Sequence, residues 1–536
     1  MSYFTIKPPI FLVPSDKVLD EYEKINKFMK LLENSGVAKI IKSVNPEEKK
    51  CKGRKGYYAY HLFAAIIYCF VWFKASLRDI EDKCIYDLRI IYIMEGEMPD
   101  HSVIGDFINK YMLPYRYEIF TLITKQIIKE LKLNISTSYL DGTKIEANAN
   151  KYKNVWKPVK YHKRLNLKII ELLYEMGYEL TIKDDELITS TEYNILLKLY
   201  AQKENIIISN IPTGRGCKRT VSERMCIKGY EYLLKLLEYE EKEAICGENR
   251  NSYYKTDTDA TAMVLKKDYY SKLSHDFHAG YNIQVMVSNL LILMFGVYQD
   301  RNDFYTLQPM CEKFYKHYNF YPENLCADSG YGNYDNYIYL KEKNINSYVK
   351  FLSWKGESSG RSPQLFKVDD DYNIKCLNGN IGANYETDKK HKIKNSQFYI
   401  FYGCNECNYS HKCKAFMKEE SKLSDYRIKE ISLEYEMLKN ITRENLLSPK
   451  GIEIRINRSI QVEGTYGQIK QNMNYQRIRR RGVNCVECEI MLMCLGVNIR
   501  RYLYNLDRDN IKDSYWEAPS TLQSEVFPEC KAKKRN

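Results

Sequence analysis

Between residues 281 and 298 the apolar spacing switches from a helical period to a strand period. Tyr281, Ile283, Val285 and Val287 alternate with Asn282, Gln284 and Met286, and a second apolar run, Leu290 to Tyr298, follows Ser288-Asn289. Period two places alternate residues on one face of a strand, and a short polar break between two such runs predicts a hairpin. Such a hairpin needs a layer to cover it, and helical spacing surrounds this one. It runs from Tyr57 to Met112, over Leu165 to Leu173, over Tyr230 to Tyr239, and again from Phe304 to about Tyr318. Further strands are predicted over Ile135 to Leu140, at Leu325-Cys-Ala327 and near Ser347 to Phe351. Periodicity alone makes this a mixed α/β domain.

Three short acidic segments fall on this framework: Tyr139-Leu-Asp-Gly-Thr-Lys-Ile-Glu146, Cys326-Ala-Asp-Ser-Gly-Tyr331 and Gln461-Val-Glu-Gly-Thr-Tyr-Gly467. The flanking runs place Asp141 and Asp328 where short strands end. Ile460, Ile469 and Met473 place Glu463 on a helix. Two aspartates and a glutamate so arranged can hold two divalent cations about 3.5–4 Å apart, which activate a nucleophile and stabilise the leaving oxygen in phosphoryl transfer. Hard oxygen ligands suit Mg²⁺ or Mn²⁺. The chain carries 69 Asp and Glu, and most acids are solvated surface groups, so the trio alone is weak evidence. Glu146, Asp257 and Asp259 are alternative ligands. Asp303, at a helix start, reads as an N-terminal cap or dipole partner. His275 and His278, flanking Asp276, form either a transition-metal pair or a structural strand entry.

The formal net charge is +13, from 82 Lys and Arg against 69 Asp and Glu, which favours a polyanionic partner. The cations gather in Arg477-Ile-Arg-Arg-Arg481, with Lys470 about two helical turns earlier. Beside a metal site these residues would grip phosphates with salt-dependent affinity; the bland alternative is a solvated helix face. The longest apolar stretch, Leu62 to Phe73, is too short to span a bilayer, and the region after Met1 lacks the basic start and apolar core of a signal peptide. The expectation is a cytoplasmic protein whose 16 cysteines are reduced. Four of them, Cys376, Cys404, Cys407 and Cys413, have a spacing that can close a tetrahedral structural Zn²⁺ site, with His411 as a substitute ligand and free thiols as the alternative. Cys485 and Cys488 lie in a helical run ending at Arg501 and read as core thiols.

The chain divides into an N-terminal helical extension (1–54), a helical segment (55–130), a catalytic α/β domain (131–505) and a flexible tail (506–536). Two insertions interrupt the α/β domain: a helical one at about 155–255 and a cysteine-containing one at about 354–440. Within 55–130, Ser76-Leu-Arg-Asp-Ile-Glu81 starts one helix, and Asp100 or Ser102 caps another that turns Val103, Phe107 and Ile108 inward. This segment is either a helix-turn-helix DNA-binding unit or a bundle that packs on the catalytic domain. His61 and His101 are expected to cap or hydrogen-bond.

Asp141-Gly-Thr-Lys-Ile-Glu-Ala-Asn-Ala-Asn-Lys151, Ala327-Asp-Ser-Gly-Tyr331 and Arg458-Ser-Ile-Gln-Val-Glu-Gly-Thr-Tyr-Gly-Gln-Ile-Lys470 together resemble the DDE transposases of bacterial insertion sequences, most closely the IS-eleven-eighty-two-like branch. The resemblance runs from about Gly56 to Arg501. It implies a ribonuclease H-like catalytic domain and a catalytic, metal-binding triad of Asp141, Asp328 and Glu463. It also implies double-stranded DNA as substrate, as element ends and as target, and a homodimer in the synaptic complex. Lys144, Arg458, Lys470, Arg477, Arg479, Arg480 and Arg481 would contact that DNA on the nucleoid. The family's third motif is summarised as Tyr, Arg, Glu, Lys. Lys470 has the matching spacing, but Arg458 lies one residue farther from Glu463 than the summary requires, with Ser459 in the expected place. Two other functions fit the same residues: an inactive DNA-binding regulator, and a metal-dependent nuclease that never joins DNA.

Overall fold

The predicted hairpin sits inside a six-stranded sheet. The computed structural model describes residues 15–44, 56–73, 75–179, 186–212, 216–265, 277–359, 361, 364–369, 371–388, 390–409, 413, 425–505 and 515–517. Within these, β1 (Thr137–Glu146) leads to a ribbon, β2 (Asn154–Trp156) with β3 (Ser252–Tyr254), and then to β4 (Thr261–Val264), β5 (Phe277–Ser288) and β6 (Leu291–Tyr298). The strands β7 (Asn324–Ala327) and β8 (Asn346–Val349) follow. In the sheet β6 pairs antiparallel with β5, β5 antiparallel with β1, β1 parallel with β7, and β7 parallel with β8; β4 pairs with the first residues of β5. The β5–β6 turn is made by Asn289 and Leu290 at φ 52° and 65°. A left-handed pair of this kind matches the right-handed twist of the flanking strands.

Seven helices precede the sheet: α1 (Ser15–Ser35), α2 (Ala38–Val44), α3 (Ala59–Trp72), α4 (Leu77–Tyr86), α5 (Leu88–Ile93), α6 (His101–Phe107) and α7 (Arg116–Glu130). Their starts are written locally. Ser76 and Asp79 form a reciprocal capping box on α4, and Asp100, rather than Ser102, caps α6 by accepting from the Val103 N–H at 2.8 Å. His101 bonds Glu81 at 2.8 Å, and His61 packs edge-on against Tyr58. Phe107 and Ile108 are buried, while Val103 is half-buried. These helices share one continuous core with the sheet, from Ile25 and Phe28 through Phe63 and Ile123 to Val285 and Phe295.

The helical insertion has a core of its own. α8 (Val159–Glu175), α9 (Ser190–Lys203) and α10 (Val221–Cys246) bury Leu165, Ile169, Leu172, Tyr193, Leu197 and Leu236 together, and the β2–β3 ribbon closes its base. After β6 the chain forms α11 (Leu307–Tyr318), α12 (Tyr334–Glu342) and α13 (Trp354–Ser358). The cysteine-containing insertion follows as β9 (Phe366–Val368) paired with β10 (Ile374–Cys376), and a sheet of β11 (Ala383–Asn384), β12 (Gln397–Tyr402) and β13 (Tyr426–Ile431). It buries only a small cluster of Ile374, Tyr399, Phe401 and Ile431. Then come α14 (Leu433–Leu447), α15 (Pro449–Arg458) and α16 (Val483–Asn505).

α16 is buried along almost its whole length from Val486 to Leu503. It lies between α3, α7 and β6. Asn498, fully buried, accepts from the Ile292 N–H at 2.9 Å and donates to the Ile292 carbonyl at 2.8 Å, so the helix is bonded to the backbone of β6. Where it crosses α3, a methyl group on Gly496 would lie 2.2 Å from the Phe70 carbonyl oxygen. Among the described residues no single helix is long and apolar enough to cross a membrane. The tail expected from 506 onward is described only at 515–517, and there it is anchored: the Tyr515 and Trp516 N–H groups donate to Asn457 Oδ1 at 2.9 and 3.2 Å. His275, Asp276, His411 and the segment Lys49–Lys55 lie outside the described residues.

The crossing yields a prediction. Gly496→Ala forces the two helix backbones apart and should lower unfolding stability by about 1–3 kcal/mol, the usual cost of overpacking. Urea unfolding followed by circular dichroism checks this.

Candidate functional site

β1 and β7 pair in parallel over Thr137–Tyr139 and Asn324–Cys326, with Tyr139 opposite Cys326. Two residues beyond that pair in each strand stand Asp141 and Asp328, so strand register sets the two carboxylates side by side. Asp328 lies where β7 ends, as expected. Asp141 does not lie at a strand end: β1 continues to Glu146, because β5 pairs with it from Tyr139 to Glu146 after β7 has stopped.

A third carboxylate joins them. Asp303, expected to be an N-terminal cap or dipole partner, opens a short 3₁₀ turn (Asp303–Tyr305), and its Oδ1 also accepts from Asn282 Nδ2 and Gln284 Nε2, each at 2.8 Å. Both amides are buried, and Asn282 also donates to the Asp300 carbonyl at 3.2 Å and Gln284 to Asn282 Oδ1 at 2.9 Å, so Asp303 joins a buried polar network. Two glycines locate its carboxylate. A methyl on Gly330 would lie 3.0 Å from Asp328 Oδ1 and 3.5 Å from Asp303 Oδ2, and one on Gly142 would lie 2.9 Å from Asp303 Oδ1. Tyr331, fully buried, donates to Gln284 Oε1 and so holds the amide toward Asp303. A sequence signal for Asp303 existed: Asn282 and Gln284 are polar and buried on a strand whose alternate residues are apolar, so something polar had to face them.

The electrostatics follow from this crowding. Burial raises the Asp141 carboxyl, the Arg458 guanidinium lowers it, and the charges of Asp328 and Asp303 raise it again, for a result of about 6. Arg458 Nη1 stands 3.6 Å from Asp141 Oδ2. Lys350, just past β8, has its ammonium pushed below the ordinary lysine range by burial and then by Arg458. It went unnoticed in the sequence because nothing local distinguishes it.

The helix carrying Glu463 explains the displaced arginine. After α15, residues Ser459–Glu463 form a π turn, Gly464–Gly467 one α-helical turn, and Gln468–Asn472 a second π turn. A π turn closes its hydrogen bonds on residue i+5, so it absorbs one extra residue without misdirecting what precedes it. Arg458 therefore reaches Asp141 although it lies one position too far by α-helical spacing. On the same segment the Tyr466 hydroxyl donates to the Asp141 carbonyl at 2.8 Å, and Lys470 Nζ donates to Thr143 Oγ1. Lys144 is half-buried on β1 opposite Asn282. Glu463 itself is exposed, one residue past the buried Gln461 and Val462 that face the core. Among the described residues no group of three or more His, Cys, Asp or Glu side chains is close enough to hold a metal ion.

The run Arg477 to Arg481 is not helical. Asn474, at φ 48°, follows the end of the second π turn, and the run crosses as an extended loop, with Arg477 bridging in parallel to Glu146. The buried Glu489 carboxylate accepts from the N–H groups of Arg479 and Arg480, which draws the loop onto α16 and explains why helix does not continue. Its side chains fan out: Arg477 to Glu146 at 3.5 Å, Arg479 to Asp79 at 3.4 Å, Arg480 to Asn109 at 2.9 Å and Arg481 to the Asn148 carbonyl at 2.9 Å. Arg479 and Arg481 remain exposed. Glu146 is thus an ion-pair partner of Arg477. Asp257 and Asp259 accept from the Gly482 and Val483 N–H groups at 3.2 and 2.8 Å, so they cap α16.

Cys376, Cys407 and Cys413 lie within electrostatic reach of Cys404, though no three of the four stand close enough to form a metal site. Burial raises the Cys404 thiol, Arg427 lowers it, and Cys376, Cys407 and Cys413 raise it further. Cys376, distant in sequence, returns because Asn380 Nδ2 bonds the Tyr402 carbonyl at 2.7 Å, tying the β10 loop to β12. Cys488 is buried in α16 and Cys485 is half-buried.

A family model described as the transposase DDE domain matches residues 376–503. That span holds Glu463, Arg458, Lys470, the basic loop and the four cysteines; Asp141 and Asp328 lie before it. No curated protein and no solved structure matches the chain.

A carboxyl raised to about 6 keeps its proton in the folded state where the unfolded chain, near its ordinary 3.8, has lost it. Folding stability therefore falls as pH rises from about 4 to about 6, and the deficit is complete at neutral pH. Without divalent metal, Asp141→Asn should stabilise the protein at neutral pH by about 1–3 kcal/mol, with the lost Arg458 contact reducing the gain. Differential scanning calorimetry in EDTA should show the advantage shrinking as pH falls toward 4.

Proposed function

We propose that this chain is a DDE transposase of the IS-eleven-eighty-two-like branch, which binds the ends of an insertion sequence, cuts there and joins the ends to target DNA. The observation that carries the reading is the register of β1 and β7, which sets Asp141 beside Asp328 with Arg458 3.6 Å from Asp141. The domain match supports a transposase-type function. The strand order and directions of β6, β5, β1, β7 and β8, followed by a helix bearing the third acid, are those expected of a ribonuclease H-like domain.

Mg²⁺ or Mn²⁺ is the implied cofactor, and the chemistry of the donor set suits it: the carboxylate oxygens of Asp141, Asp328 and Asp303 are hard ligands that match hard divalent ions. Asp141 and Asp328 would hold the ions, with Glu463 supplied from the helix as the third ligand. Bound metal supplies a nucleophile at neutral pH and stabilises the leaving oxygen. The chain's own residues bind and orient. Arg458 and Lys470 flank the carboxylates and take the scissile phosphate, while exposed Arg479 and Arg481 hold the backbone on either side. Asn282 and Gln284 fix Asp303, which keeps the negative charge concentrated. Two element ends must react together, so the working unit is a homodimer on the nucleoid. Cys376, Cys404, Cys407 and Cys413 would have to close further to hold a structural Zn²⁺, which would stabilise an insertion that buries little core.

Labelled element-end DNA incubated with Mg²⁺, with Mn²⁺ and with EDTA tests the reading. Wild type should nick at the element boundary in either metal. Asp141→Ala, Asp328→Ala and Glu463→Gln should each lower the rate more than about a hundredfold while retaining DNA binding. Binding without cleavage in any metal would point to an inactive regulator, and cleavage without joining to a nuclease. For the insertion, native mass spectrometry should find one zinc per chain, lost in Cys404→Ser.

A further inference from the structure

The segment between β1 and the middle of α8 carries charge of one sign only. From Ala147 to Ile170 it carries seven Lys and Arg and no Asp or Glu, whereas the whole chain has 82 against 69. Composition of the helical insertion does not explain this. On α10 of the same insertion Glu231, Glu238 and Glu241 are interleaved with Lys228, Lys235 and Lys242, the mixed-sign pattern of a solvated helix. On α8 the opposite face packs Leu165, Ile169 and Leu172 into the insertion's core, which leaves Lys160, Arg164 and Lys168 exposed along one stripe.

Aromatic rings are exposed within the same segment. Tyr152 is 85% exposed, Tyr161 64% and Trp156 50%. The Lys151 ammonium lies 5.4 Å from the Tyr152 ring centre, and Trp156 meets the half-exposed Phe277 edge-on. Large rings left in water beside cations form a surface on which bases stack while phosphates are neutralised. The segment also adjoins the basic loop: Asn148 Nδ2 donates to the Arg479 carbonyl at 2.7 Å, and Arg481 Nε donates to the Asn148 carbonyl.

We propose that residues 151–168 form a second DNA-binding surface, continuous with the Arg479–Arg481 loop, that takes a strand with unpaired bases through Tyr152, Trp156 and Tyr161. Duplex DNA hides its base faces, so stacking on these rings selects an unpaired end or a displaced strand. The choice of DNA as the polyanion rests on the proposed transposase reading; the preference for unpaired bases rests on the rings.

Fluorescence anisotropy with the full chain in EDTA tests it, using a labelled single strand of about 16 nucleotides and a blunt duplex of the same sequence. Trp156→Ala and Tyr161→Ala should each weaken single-strand binding about tenfold and change duplex binding less than about twofold. Trp156→Phe, which keeps a stacking face, should restore most of the affinity. Lys160→Gln with Arg164→Gln should lower the salt slope on the single strand by about 0.7 per charge removed. Aromatic variants that melt as wild type does and bind the single strand within about twofold of it would overturn the proposal. Cleavage by wild type alongside that result would leave the transposase reading intact. Loss of single-strand binding in a protein that never cleaves would keep this surface and remove that reading.

Discussion

One buried helix, α16, holds the protein together. Its backbone reaches that of α3 at Gly496, its Asn498 bonds both polar groups of Ile292 on β6, and its Arg500 donates to the Val71 carbonyl at 2.7 Å. Near its N-terminus Glu487 takes Arg116 at 2.5 Å and the Tyr117 hydroxyl at 2.5 Å, binding α7, while Glu489 holds the arginine loop. Asp257 and Asp259, from the segment entering β4, cap that terminus. A helix surrounded on all sides must satisfy every polar group internally, and each of these contacts does so while joining a different part of the chain. The N-terminal helices, the sheet and the arginine loop therefore keep fixed relations to one another.

The carboxylate cluster depends on that fixity. Burial raises the Asp141 carboxyl, and the like charges of Asp328 and Asp303 add to this against Arg458, for a result of about 6. The sheet tolerates the cost because it holds the acids from different directions: Asp141 and Asp328 by strand register, Asp303 by two buried amides, and Arg458 from the helix opposite. The π turn lets that helix present Arg458, Tyr466 and Lys470 to β1 together.

Much of this was legible in the residues. The alternation at 281–287 specified the hairpin, Ser76 and Asp100 marked helix starts, and Asp328 stood at the end of its strand, because each of these depends on neighbours within a few positions. The run Arg477–Arg481 is not the solvated helix face that was its alternative reading, because its conformation depends on Glu489 and Glu146, neither of which is local. Asp303 does open a short helical turn, as its position suggests, but its acceptor role depends on Asn282 and Gln284, two elements away. Asp141 was placed at a strand end because its own strand's pairing with β5 cannot be seen from residues 135–140.

By itself the sequence determined the periods, the caps, the one-signed charge of the segment after β1 and the spacing of the cysteines. All of these are properties of short stretches, set by backbone sterics and side-chain chemistry. Tertiary structure alone decided which acids meet, which arginines are tied down and where the π turn points Arg458. Those depend on strand register and helix crossing, where a shift of one residue reverses a face, and register is settled only when the whole core packs.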